Sequence, residues 1–131
     1  RCRSLRLPVL AVCRGLQLLC RRAGPMRRCE EGSHVGVQHQ ILWQRNLDGV
    51  ATSGSKWCVN SYHNWQVTHL PEDYHLLASS EDGGIEALVH KELPWLGVQW
   101  HPEREQAFFS QQQNLLEWFF IRCQAWSESA K

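Results

Sequence analysis

The apolar run Val9-Leu10-Ala11-Val12, halted at Cys13 and turned through Gly15 into a helix-compatible segment, constrains this chain more than any other feature. Consecutive apolar residues with no polar alternation predict a strand covered on both faces, the environment of a parallel sheet. The pattern predicts a strand over 7–12, a tight turn at Cys13 and a helix over 14–22, and so an α/β fold. Ala23-Gly24-Pro25 is expected to end that helix, with glycine taking the left-handed cap and proline preventing continuation. A side chain on such a turn is a nucleophile elbow. The helix N-terminus beside it favours a thiolate, so Cys13 is expected to be the most reactive of the six cysteines.

A second apolar strand, Leu96-Gly97-Val98-Gln99-Trp100, ends at His101-Pro102-Glu103. An imidazole with a carboxylate two residues on supplies a base and the group that orients it, which completes a Cys-His-Glu arrangement with Cys13. Between the two stretches lies Val59-Asn60-Ser61-Tyr62-His63-Asn64.

Cys13-Arg14-Gly15-Leu16-Gln17, the Asn60–Asn64 segment and Trp100-His101-Pro102-Glu103, in that order, resemble the class I glutamine amidotransferase superfamily, in particular its γ-glutamyl hydrolase-like branch. The resemblance covers about residues 7–120 of one domain spanning 1–131. The run Trp100 to Glu105 is similar to relatives that hydrolyse γ-glutamyl-CDP-amidate. The resemblance implies the C-terminal portion of a flavodoxin-like three-layer sandwich. It also implies Cys13, His101 and Glu103 as catalytic groups, with the Arg14 N–H and Gly15 at the oxyanion. Gln17, Ser61, Tyr62 and His63 would then be substrate contacts. His34 and His39 resemble a histidine pair of the same branch, with loop-shaping or substrate-edge roles. Where relatives carry a Gly-Gly turn after the first helix, this chain has GPMRRCEEGS. In relatives the elbow strand is central and an upstream glycine loop supplies the second oxyanion donor. Both are expected to lie outside this sequence, leaving it with half of the hole.

The remaining strands are expected over 35–43, 57–60, 75–79, 84–90 and 95–100, with hairpin turns at Glu81–Gly84 and Lys91–Pro94. Apolar spacing predicts a helix over 106–126 with one face on the sheet. The 131 residues are 43% hydrophobic and include seven Trp, enough for a core.

Charge is unevenly placed: residues 1–28 hold eight of the eleven Arg and no acid, and residues 29–131 carry six basic and thirteen acidic residues. A basic arm fits nucleic acid, an anionic membrane or a transit peptide. The elbow strand lies inside it, which a removable presequence could not contain. The Trp and Phe residues do not alternate with basic ones, which favours core packing over base stacking. Neither nucleic acid nor membrane is expected as a partner. Six Cys without a secretory signal point to a reducing, cytoplasmic compartment. His34 and His39, or His63, His69 and His75, match no usual zinc-ligand spacing, so neither a metal nor another cofactor is expected.

Three functions fit these residues. The first is hydrolysis of a γ-glutamyl amide, a small-molecule substrate. The second is a glutaminase subunit that feeds ammonia to a synthetase partner. The third is a non-catalytic remnant that keeps the triad but not the sheet around it. A sheet with an open edge also leaves room for self-association into a homo-oligomer.

Overall fold

The computed structural model describes residues 1–104 and 110–131. Strand β1 (Val9–Val12) runs into helix α1 (Arg14–Cys20), and a short strand β2 (Arg27–Arg28) follows. Next come β3 (Val35–Trp43), β4 (Lys56–Tyr62), β5 (Trp65–Gln66), β6 (Tyr74–Ser80), β7 (Ile85–His90) and β8 (Trp95–Val98). A 3-10 turn at Pro102–Arg104 and helix α2 (Ser110–Ser129) complete the chain. The predicted helix over 106–126 overlaps α2, and its positions 106–109 lie outside the described residues.

The main sheet has the order β1-β8-β7-β6-β3-β4, and β2 pairs with β5 separately. β1 lies parallel to β8 with Val12 opposite Val98, and the other ladders of the main sheet are antiparallel. Both predicted hairpins form, the first closed by Ser80 N–H to Gly84 O at 2.9 Å and by Gly83 at φ 86°. A left-handed residue there is the ordinary requirement of a tight hairpin, met without strain by glycine.

Alternating side chains along the buried strands divide the core into two layers. On one face Leu16 and Cys20 of α1 pack with Leu88, Tyr74 and Trp95. On the other, Leu115 and Phe119 of α2 cover Trp43, Trp57, Val98 and Trp100. The result is helix, sheet, helix. Each large side chain buried in this way contributes about 1.5–3 kcal/mol. Most of the tryptophans are therefore accounted for by packing, and Trp126 instead lies under the Arg6 guanidinium, tying the basic N-terminal segment to α2.

Two local expectations change. Helix α1 closes at Arg21 in ordinary right-handed geometry, and Gly24 is not its left-handed cap. Gly24 is required for space, because a Cβ there would meet the His69 ring at 2.6 Å. β4 runs past the expected 57–60 through Ser61 and Tyr62, so these two lie on an edge strand. No helix among the described residues is long and apolar enough to cross a membrane.

Candidate active site

Cys13 sits between β1 and α1 at φ 51°, ψ −101°, a positive φ in a non-glycine residue. Backbone held in so sparsely populated a region costs of order 1–3 kcal/mol and persists only where its surroundings over-determine it. Here they do: Cys13 N–H donates to Val98 O at 2.8 Å, and Gln17 N–H donates to Cys13 O at 3.2 Å. The strand and the helix thus each fix one side of the bend. Gly15 lets the helix leave close to the strand, since a Cβ there would stand 3.1 Å from the Ala11 Cβ.

The sulfur is buried, and Gln99 Nε2 approaches it at 3.5 Å. Gln99 is itself fully buried, and its Oε1 lies 3.5 Å from Gln17 Nε2, which also donates to Trp65 O at 2.8 Å. Gln17, one helical turn after Cys13, faces the elbow and reaches the sulfur through Gln99. Burial works against the expected thiolate. Burial pushes the Cys13 thiol up, and the Arg14 N–H, the Gln99 amide and the Arg104 charge only partly offset it. A helix N-terminus favours the anion, but a water-poor setting outweighs it. Exposed Cys2 and Cys58 are more accessible thiols, whereas Cys20 is pushed to about 12 and Cys29 to about 11 by burial.

His101 follows the end of β8, beside the end of β1. Its Nδ1 lies 2.5 Å from Glu103 Oε1. Burial draws the Glu103 carboxyl upward, but the His101 hydrogen bond, a backbone N–H and the charges of His101 and Arg104 prevail and hold it below the usual range. A carboxylate kept ionised on Nδ1 directs Nε2 away for proton transfer. The His101 backbone is gripped from both sides by one residue: Asn60 Nδ2 donates to His101 O and Asn60 Oδ1 accepts from His101 N–H, each at 2.8 Å. The parallel β1–β8 ladder brings the elbow and the end of β8 to the same end of the sheet, and there the sulfur meets Gln99 rather than His101. Catalytic hydrogen bonds commonly tighten only around bound substrate.

The middle segment divides by strand face. Tyr62 points outward, its ring edge-on to His101 at 5.8 Å and beneath the Arg104 guanidinium at 4.7 Å. Ser61 and His63 point inward. The Ser61 hydroxyl is fully buried and donates to His34 O at 2.8 Å, so its side chain shapes the fold. His63 is buried with Nδ1 2.9 Å from Trp65 O, and burial, assisted by His34, lowers it to about 4. Of the predicted site residues, the structure gathers Cys13, Arg14, Gly15, Gln17, His101, Glu103 and Tyr62, and it sets the side chains of Ser61 and His63 apart. Sequence reasoning misses Gln99 and Asn60. Both stand inside the motifs quoted above, and only the strand register shows which way they point.

The strand-elbow-helix and its His-Glu partner have counterparts elsewhere. Residues 1–123 match the family described as Glutamine amidotransferase class-I. The chain belongs to that family. Among curated proteins, this class I amidotransferase chain is 32% identical over 121 residues to the γ-glutamyl-CDP-amidate hydrolase of Campylobacter jejuni, covering 92% of the chain and 54% of that protein. It is 35% identical over 103 residues to the glutamine-hydrolysing GMP synthase subunit of Methanothrix thermoacetophila, covering 77% of the chain and 55% of that protein. The chain thus spans about half the length of the curated relatives it matches. A protein of Thermoplasma acidophilum described as a GMP synthase subunit superposes with a TM-score of 0.75 at 23% identity, over 94% of this chain and 60% of that one. This likeness establishes the amidotransferase fold.

Proposed function

We propose that the chain carries the nucleophile half of a γ-glutamyl amide hydrolase. Cys13 Sγ attacks the side-chain carbonyl carbon of the substrate while His101 Nε2 takes the thiol proton. The tetrahedral oxyanion faces the Arg14 N–H. Collapse expels the amine, protonated by His101, and leaves a γ-glutamyl thioester. Water, deprotonated by His101, then hydrolyses the thioester to release glutamate. Glu103 orients the imidazole and stabilises its cation, and Asn60 fixes the backbone that carries it. Tyr62 and Gln17 border the substrate, and His63 supports the strand behind them.

The observation that carries this reading is the strained Cys13 elbow at the end of β1, with His101-Glu103 at the end of the neighbouring parallel strand. A second reading, a glutaminase that passes ammonia to a synthetase, is favoured by the similarity to glutamine-hydrolysing GMP synthase subunits. Domain extent 1–131 as part of a longer amidotransferase unit and a cytoplasmic setting belong to the same proposal.

The test is to assay γ-glutamyl amide hydrolysis by this chain beside a version extended with upstream βα units of a relative, and to trap Cys13 with a glutamine-like electrophile. Losing one oxyanion donor typically costs about 100- to 1000-fold in turnover. The short chain is therefore expected to be slow and the extended one fast, with the label on Cys13. Full activity in the short chain would refute the half-hole argument. Labelling elsewhere, with activity intact in Cys13→Ala, would refute the nucleophile. Turnover that rises only on adding a synthetase would favour the second reading.

A further inference from the structure

Apart from the elbow, β3 with the residue before it, the residue after β4, and β7 bring together four side chains that proposed catalysis does not use as acids, bases or nucleophiles. His34, His39, His63 and Glu86 each place a ligand-type atom within 4.8 Å of every other. Glu86 and His63 are almost wholly buried. His39 Nε2, His63 Nε2 and Glu86 Oε2 meet no hydrogen-bond partner among the described residues. Buried polar atoms without partners are costly, so three in one spot call for an occupant.

The ring nitrogens on the far side are all engaged. His39 Nδ1 lies 3.2 Å from Gln40 O and His63 Nδ1 lies 2.9 Å from Trp65 O. A carbonyl only accepts, so both imidazoles hold their proton on Nδ1 and present the Nε2 lone pair inward. His34 Nε2 lies 2.8 Å from Asp82 Oδ2 and likewise donates there. Its Nδ1 is 3.3 Å from the Ser61 hydroxyl, whose proton is directed to His34 O, so the Nδ1 lone pair stays uncommitted. Two imidazoles that hold a proton on a carbonyl and turn Nε2 toward a buried carboxylate, with a third imidazole held beside them by Asp82, resemble the arrangement by which proteins pre-orient metal ligands.

We infer that His34, His39, His63 and Glu86 form a structural site for a first-row divalent cation, zinc being the best match. Three neutral imidazoles and one carboxylate suit tetrahedral zinc, whose bond lengths near 2.0–2.1 Å put neighbouring ligand atoms about 3.3 Å apart. Two separations to Glu86 Oε1 are already close to that: 3.5 Å from His39 Nε2 and 3.9 Å from His63 Nε2. The cation would neutralise the buried carboxylate and bolt β4, which carries Ser61 and Tyr62, to β3 and β7. His39, the most exposed of the four, marks the way in.

The experiment is a cobalt(II) titration of the full chain after chelator treatment, under reducing conditions. One equivalent is expected to bind with the visible bands of a four-coordinate nitrogen and oxygen site and without thiolate charge transfer. Those bands should vanish in His39→Ala and persist in Cys29→Ser, which removes the thiol nearest His63. Zinc should raise the unfolding midpoint of the parent and not that of Glu86→Gln. Far-ultraviolet circular dichroism in chelator checks that the variants fold. No cobalt bound by the folded parent would overturn the inference. So would bands that survive in folded His39→Ala, or thiolate charge transfer that disappears in Cys29→Ser. The outcome is independent of catalysis, because binding is read without substrate.

Discussion

Among the described residues, two groupings set histidine beside a glutamate carboxylate, and their surroundings are opposite. Glu103 is half-exposed, pairs with one imidazole and is held below the usual carboxyl range. Glu86 is sealed in the sheet among three imidazoles and is pushed well above that range by burial, with Asp82 adding to the effect. The same two residue types thus give an ionised orienting group at the end of β8 and a desolvated ligand cluster inside β7. Solvation, more than identity, decides what a carboxylate can do. The two are also mechanically joined, because Gln99 N–H donates to Glu86 O at 2.8 Å while the Gln99 side chain meets the Cys13 sulfur.

The largest test of this contrast is His101→Ala, measured in the extended, active form. Turnover should fall by about 10⁴-fold or more, as when one member of a catalytic unit is removed. A similar loss in His39→Ala would erase the distinction between the groupings. Glu103→Gln should leave a small residue of turnover, because the carboxylate orients the base without exchanging a proton itself.

Asn60→Ala should lower turnover by about 100-fold with little change in KM, the scale expected when a base is displaced by an ångström. Unchanged kinetics would show that the Asn60 grip does not set the position of His101.

The elbow thiol supplies a pH test. Because burial raises the Cys13 pKa, its thiolate fraction at neutral pH is small and grows with alkali. Alkylation of Cys13 by iodoacetamide should therefore keep rising above about pH 8.5, the ordinary thiol value, in the substrate-free chain. A plateau near neutrality, mapped by mass spectrometry, would restore the favoured-thiolate expectation.

The smallest effect concerns stability. Glu103→Gln should change unfolding free energy by less than about 1 kcal/mol, since an ion pair with so exposed a carboxylate is screened by water. A denaturant shift larger than that would mean the pair holds the fold together.

What is legible in the sequence follows how local the information is. The elbow strand, its helix, both hairpins and the His101-Glu103 pair are set by neighbours a few residues apart, and each is present. The inward turn of the Ser61 side chain is not legible because Asn-Ser-Tyr-His looks the same on a loop as on a strand, whereas on β4 alternate residues face opposite ways. Gln99 and Asn60 need the β1–β8 and β3–β4 registers to show what they reach. The histidine cluster is hidden for the same reason. His34 and His39 in one segment, and His63 with His69 and His75 in another, give no ligand spacing within either. The sheet regroups them and leaves His69 and His75 elsewhere.

The Asn60 clamp has a consequence for the order in which this molecule becomes competent. β4 is the last strand in the main sheet, at the opposite edge from β1, yet it holds the backbone of His101, the base that the proposed mechanism pairs with Cys13 at the end of β1. The imidazole is therefore set only once the far edge has docked. An incompletely assembled chain would carry its thiol unpaired with a positioned base. On the proposed mechanism, reactivity would then act as an inspection stamp, applied only when the sheet has closed from one side to the other.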